Sequence, residues 1–396
     1  MVEEAVLDAV AAAVDPDEVL AFAQALIAAK SENPGGTEDE AAGVAGEILT
    51  GFGAEPTIVR SDEGRPSVVA AVGSTDGGPS LAWNGHLDVV PAGSLDTWRH
   101  DPWAGVVDDE GSLVGRGASD MKGPVAAALA AGSALRRVGV PITGSLVFHL
   151  AADEEHAGVH GSRVLWERGL LTQQAAIVGE PSDLQVGLAE RGGAWFTATS
   201  YGKAAHGSQP HRGVNAITSM ARFLLRLPDV LPEREHPLVG RPTVNAATIS
   251  GGSAPNVVPD RCEVAIDRRI VPGETDPDEV RAPFVALVEA LRAEHPEVEI
   301  DVSLREWTEA AEASPDTEIA RVAADALEAV TGSRPPFVGF TGITDARFYI
   351  NQADIPTVIC GPGSLTVAHT ANESVKVDDL VAGARAYARM FAAFLA

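Results

Sequence analysis

Cysteine is almost absent: the 396 residues contain two, Cys262 and Cys360. Neither lies in a CxxC or Cys/His spacing, so the sequence offers no thiolate zinc site and no disulfide framework. Both read as small buried apolar residues. Basic residues are also scarce, with 29 Lys and Arg against 56 Asp and Glu and a formal charge of −27. A chain so acidic is repelled by phosphate backbones and anionic lipid, so neither nucleic acid nor a membrane surface is expected as a partner. The acidity is spread along the chain and reads as a solvated surface. Long hydrophobic runs are missing. The longest apolar stretch, residues 124–135, is too short and too rich in Ala and Gly to span a bilayer. The opening residues MVEEA have no basic n-region and do not read as a secretory signal. Repeats and low-complexity segments are lacking too. The expectation is a soluble, cytoplasmic protein.

Hydrophobic residues make up 45% of the chain, enough for ordinary cores, and its length suggests two domains. Residues 3–30 read as helix, broken and capped at Asp15-Pro16-Asp17. Short strands are expected at 68–72, 80–84, 145–150 and 175–178, with an Ala-rich buried helix at 123–137. This alternation predicts an α/β layer with a mainly parallel sheet. The pattern then becomes strand (194–200), helix (215–227), strands (243–250 and 261–270), helix (276–294) and strand (297–304). That order is a ferredoxin-like α+β unit. A helix at 317–331 and a strand at 357–360 restore the α/β character, so the small unit reads as inserted. The expected boundaries are 1–187 and 304–396 for the larger domain and 188–303 for the insert.

Chemistry concentrates at the ends of the predicted strands. In AADEEH (151–156), Glu154 and Glu155 follow an apolar strand, and adjacent side chains on a strand point apart. One carboxylate can then bind a metal while the other faces a substrate as general base. NGHLD (84–88) places Asp88 two residues from His86, on the same side of an extended strand. A carboxylate there can orient the ring of a ligating histidine, although an HxD pattern also suits a structural histidine. GRGASDMKG (115–123) surrounds Asp120 with three glycines before a helix. Asp120 is either an N-cap or, with two oxygens, a bridge between two metals. Glu180 in GEP (179–181) ends a strand at the ligand-binding edge of an α/β sheet, and His369 in AHTANE (368–373) follows a Gly-rich loop. Two His and three carboxylates without thiolate suit Zn²⁺, Co²⁺ or Mn²⁺.

Together these motifs, over nearly the whole chain, resemble the acetylornithine deacetylase / succinyl-diaminopimelate desuccinylase family of dinuclear metallohydrolases, which includes carboxypeptidases and aminoacylases. The resemblance implies that His86, Glu155, Glu180 and His369 are terminal ligands of two divalent metal ions, most simply Zn²⁺. It implies that Asp120 bridges them, with a cis Asp120–Met121 peptide, that Glu154 is the base, and that Asp88 supports His86. GKAAHGSQP (202–210) resembles the family's lid motif, which implies that His206 reaches a neighbouring subunit's site in a homodimer and stabilises the oxyanion there. GGSAPNVVP (251–259) resembles the lid loop, with Asn256 on the substrate. The D-x-R spacing falls on Asp267 and Arg269, making Arg269 the candidate for a substrate carboxylate, while Arg268 points to the opposite face as a surface salt bridge. Arg191 and the segment 344–347 are lesser substrate-side candidates. The expected activity is hydrolysis of the amide of an N-acylated amino acid. The alternatives are a carboxypeptidase or dipeptidase of the same family and, more remotely, a catalytically silent binding protein.

Overall fold

The computed structural model describes residues 3–74, 77–140 and 142–396. The chain divides into two compact units. The first comprises Met1–Leu188, Glu312–Phe340 and Thr344–Ala396, and the second Ala189–Ala311 with Thr341–Ile343.

The first unit is built on a nine-stranded sheet. Its four middle strands run in the order Ser145–Ala151, Ser80–His86, Ala175–Val178 and Thr357–Ile359, and all are parallel. They are buried almost throughout. That explains their near-continuous apolar sequences, since a parallel sheet is covered on both faces. Antiparallel strands Pro66–Gly73 and Thr57–Arg60 extend one edge. Strand 80–86 pairs with 145–151 in a register that sets His86 opposite Ala151, so both strands end at the same level.

Helices Lys122–Val138 and Val377–Leu395 pack over this sheet. The first is buried from Lys122 through Leu135, and small residues allow the close approach. A Cβ on Gly132, for example, would lie 2.9 Å from the Phe148 ring. Trp83, Phe148, Tyr387 and Phe391 form the aromatic layer between, with Trp83 edge-on to Tyr387 at 5.7 Å and Phe148 edge-on to Phe391 at 6.2 Å. The helical stretch expected over 3–30 breaks where Asp15-Pro16-Asp17 indicated, into Glu4–Ala12 and Pro16–Ala28. Asp15 caps the second by accepting from the Asp17 N–H at 3.0 Å.

The second unit has a four-stranded antiparallel sheet in the order Thr243–Gly251, Arg261–Ile270, Gly192–Tyr201, Glu299–Thr308. Helices Ala216–Leu225 and Pro277–Glu294 complete the ferredoxin-like sequence of elements. Asn215 and Asp276 cap them, accepting from Thr218 N–H and Asp278 N–H. One face of the sheet and both helices enclose a core containing Phe196, Met220, Phe223, Ile266 and Phe284. The last strand runs on to Thr308 rather than ending at residue 304, so this unit extends to Ala311. Strand 243–251 stands at the sheet edge with eight of its nine residues exposed.

Candidate metal centre

Six of the residues singled out from the sequence converge at the carboxyl ends of the parallel strands, all within the first unit. His86 ends its strand and is 1% exposed. Its Nδ1 lies 2.8 Å from the main-chain oxygen of Asp88, which can only accept, so the ring proton sits on Nδ1 and Nε2 faces the site. Around Nε2 lie Asp120 Oδ1 at 3.1 Å, Glu154 Oε2 at 3.8 Å and Glu180 Oε1 at 3.9 Å. His369 Nε2 lies 2.9 Å from Glu155 Oε2 and 3.4 Å from Asp120 Oδ2. Asp120 therefore spans the two imidazoles, one oxygen to each.

Two donor groups share His86 within 4.8 Å: His86, Glu154 and Glu180, and His86, Asp120 and Glu155. Four carboxylates are thus gathered in one pocket, and their ion pairs are with the two histidines. Burial raises Glu154, and the charge of Glu180 raises it further. Burial and Asp120 do the same to Glu180 and Glu155. Burial opposes charge on His86, but the Asp120 hydrogen bond and the surrounding carboxylates outweigh it and hold its pKa well above 6.5. Donating hydrogen bonds to the Asp120 and Glu155 carboxylates carries His369 to about 10. Buried carboxylates crowded with so little compensating positive charge form a donor set that fits divalent cations.

The geometry departs from the sequence reading in how the acidic pair is presented. The strand ends at Ala151, and Glu154–His156 is a 3-10 turn between two left-handed residues, Asp153 (φ 62°) and Ala157 (φ 67°). The turn, not strand alternation, separates the two glutamates. Asp88 also lies beyond its strand, and its carboxylate stands 3.6 Å from the His86 ring. It accepts instead from the main-chain N–H of Glu154 at 3.1 Å and Glu155 at 3.2 Å. Asp88 thus supports His86 through its carbonyl and the acidic pair through its carboxylate. Asp120 does not cap the following helix, whose N-cap is Met121 without a side-chain bond, and the Asp120–Met121 peptide is cis.

Further residues support this arrangement, and of these Glu373 had no expected role. Glu373 Oε1 accepts from the N–H of Ser119 and of Asp120, both at 2.9 Å, and Glu373 pairs with Arg116 at 2.6 Å. It lies in the AHTANE stretch already noted for His369, so the motif held a signal. Asp345 Oδ2 accepts from Ser162 Oγ at 2.5 Å. Arg347, expected on the substrate side, is 5% exposed and donates to Ala157 O at 2.7 Å, bracing the turn that bears the glutamates.

The remaining predicted residues belong to the second unit. His206 is exposed, and its Nδ1 accepts from the Ser208 N–H at 3.2 Å and lies 2.7 Å from Ser208 Oγ. Gly207 N–H donates to Asn256 O at 2.8 Å, so the loops of His206 and Asn256 are joined. Arg269 pairs with Asp267 at 3.0 Å and remains partly exposed. Arg191 is committed to a loop, donating to Val239 O at 2.6 Å and Arg241 O at 3.2 Å. Arg268 is not a surface residue: it is 1% exposed and pairs with Glu274 at 2.5 Å, because alternation turns it into the unit's interior.

Residues 82–393 match the profile of peptidase family M20/M25/M40. The chain is 34% identical over 357 residues to an acetylornithine deacetylase of Myxococcus xanthus, covering 87% of this chain and 88% of that one. Among solved structures, human carnosine dipeptidase 1 superposes with a TM-score of 0.79 at 20% identity, over 98% of this chain and 99% of that one. An M20 family metallo-carboxypeptidase from Sulfolobus solfataricus also gives 0.79, at 19% identity, over 96% and 99%. The chain belongs to peptidase family M20/M25/M40 and, by its relatives, is a metal-dependent amidohydrolase.

Proposed function

We propose that the protein hydrolyses the amide of an N-acylated amino acid, in the manner of an acetylornithine deacetylase or succinyl-diaminopimelate desuccinylase. The observation that carries this reading is the convergence of His86, His369 and four carboxylates in one cluster, in a chain 34% identical to a deacetylase. His86 and Glu180 would hold one cation, Glu155 and His369 the other, with Asp120 between them. Zn²⁺ is the first choice for this donor set, and Co²⁺ or Mn²⁺ are accepted by the same atoms. The cations would supply Lewis acidity to a water molecule and to the amide carbonyl.

Glu154 is the acidic residue left over for proton transfer. It takes the proton of the attacking water and returns it to the amine as the C–N bond breaks, giving a carboxylic acid and a free amine. His206 stabilises the oxyanion in the site of a second copy, donating from its Nε2. Arg269 grips the substrate carboxylate, with Asn256 beside it, and Arg191 contributes less because its guanidinium is already engaged. The unit of Met1–Leu188, Glu312–Phe340 and Thr344–Ala396 acts as the catalytic domain, and Ala189–Ala311 as the lid and dimerisation domain. The exposed edge strand 243–251 supports a homodimer, since an unpaired edge in a soluble protein needs covering. A cytoplasmic location belongs to the same reading, and among the described residues no helix is long and apolar enough to cross a membrane.

The fold likeness to a dipeptidase and a carboxypeptidase favours a second reading, in which a peptide replaces the acyl amino acid. A mass-spectrometric hydrolysis screen decides between them. Zn²⁺- or Co²⁺-loaded protein is given N-acetyl, N-formyl and N-succinyl amino acids and dipeptides, with and without chelator. Chelator-sensitive cleavage of the acyl amino acids supports the deacylase, and cleavage of dipeptides alone selects the peptidase.

A further inference from the structure

Asn33 precedes residue 82, where the family match begins, and belongs to none of the catalytic motifs. It is 3% exposed, and its Nδ2 amide donates twice: to Asp88 Oδ2 at 2.8 Å and to Asp153 Oδ1 at 3.0 Å. The two acceptors sit on different loops. Asp88 follows the strand that ends in His86, and Asp153 immediately precedes Glu154 and Glu155. One amide group therefore ties together the two strand ends that carry three of the site's side chains. An amide nitrogen suits this place because it offers two donor hydrogens and each neighbour is a carboxylate, which can only accept.

The amide is itself held on every side. Its oxygen accepts from Arg65 Nη1 at 3.2 Å, and Arg65 also lies 3.7 Å from Asp153. The main chain of 31–33 runs along 87–89: Asn33 N–H donates to Val89 O at 2.8 Å, and Val89 N–H to Ser31 O at 3.0 Å. Asp88 then passes the constraint on, since its two carboxylate oxygens receive the N–H groups of Glu154 and Glu155. Without the amide, two buried carboxylates would face each other across the gap, with Arg65 as a shared countercharge.

We propose that Asn33 is a positioning residue for the metal centre, setting the distance between His86 and the Glu154–Glu155 pair by bridging Asp88 and Asp153. This rests on the reading of the cluster as a metal site, and it concerns residues that touch neither metal nor substrate.

The test uses the full-length protein and the variants Asn33→Asp and Asn33→Ala, with Zn²⁺ affinity measured by chelator competition alongside kcat and KM. The expected result for a folded variant is a loss of about tenfold or more in Zn²⁺ affinity and in kcat, with KM within about twofold, as for residues that orient ligands from behind. Arg65→Met, which removes the guanidinium from the amide oxygen, should move both quantities the same way by less. Folded variants whose Zn²⁺ affinity and kcat stay within about twofold of wild type overturn the proposal. Failure of all three variants to fold overturns it too, by assigning the network to folding. Wild-type protein that binds no divalent cation removes the metal-centre reading itself, and this proposal with it.

Discussion

Glu154 and Asp88 divide this site between the chemistry itself and the atoms one step behind it. Glu154 shares its turn with a proposed ligand but is assigned the proton transfer. Glu154→Ala should lower turnover by at least about 10²-fold while leaving Zn²⁺ binding nearly intact; near-normal turnover would reject the assignment. Asp88→Ala removes the acceptor for both glutamate N–H groups. It should cost about 10- to 100-fold in activity or metal affinity, read by kinetics and chelator competition. His149 makes a different prediction. It lies fully buried in the central sheet, with Nδ1 2.8 Å from the Tyr349 hydroxyl, and burial lowers its pKa from 6.5 to about 4. Its folded pKa is below the unfolded one, so its contribution is complete above about pH 6.5 and is lost as the pH falls toward 4. That loss amounts to about 3 kcal/mol at most. Thermal midpoints recorded across this range should fall more steeply for wild type than for His149→Gln.

At the scale of elements, the site exists because four parallel strands end at one level and each hands a short loop to the same space. Gly179, between its strand and Glu180, meets the indole of Trp83 so closely that an added Cβ would lie 2.2 Å from the ring. Gly179→Ala must push back either the aromatic layer or the Glu180 loop, and overpacking of this kind costs about 1–3 kcal/mol. Denaturant unfolding should show that loss, and metal affinity should fall with it if the loop is what yields. The strand and helix periods of the parallel layer and of the ferredoxin-like unit were legible in the sequence because burial imposes them residue by residue. The helix Asp39–Gly51 and the three-stranded sheet of Val106–Val107, Ser112–Val114 and Ser374–Lys376 were not read. Strands of two or three residues carry no period, and a pairing of residues 112 and 376 is set by the return of the chain, not by local sequence.

For the whole molecule, the testable statement is its assembly. A homodimer would have a solution mass twice the 41.0 kDa of the chain. Light scattering after size exclusion should find it, and Ile249→Lys, a charge on the exposed edge strand at a residue 59% exposed, should shift the protein toward monomer. If His206 serves a second copy's site, that variant should lose turnover while keeping its Zn²⁺ affinity. A wild-type protein that is monomeric at working concentration would reject both the dimer and the role of His206. The charge of −27 argues for measuring in moderate salt, where repulsion between two acidic copies is screened.

The residues of the proposed centre could be named from the sequence before any coordinate: His86, Asp120, Glu154, Glu155, Glu180 and His369. Metal chemistry restricts donors to a few side chains, and most of these stand at or just beyond the end of a strand with a clear apolar pattern. Their supports could not be named in this way. Asn33 lies 120 positions from Asp153 in sequence, and Glu373 lies 253 from Asp120. Such contacts follow from how the chain returns on itself: an isolated Asn carries no mark of what it will meet, and Glu373 is marked only by its place in the His369 motif. The same holds for the division of labour in Asp88, whose carbonyl and carboxylate serve different neighbours, and for Arg268, whose burial depends on which face of the small sheet the helices cover.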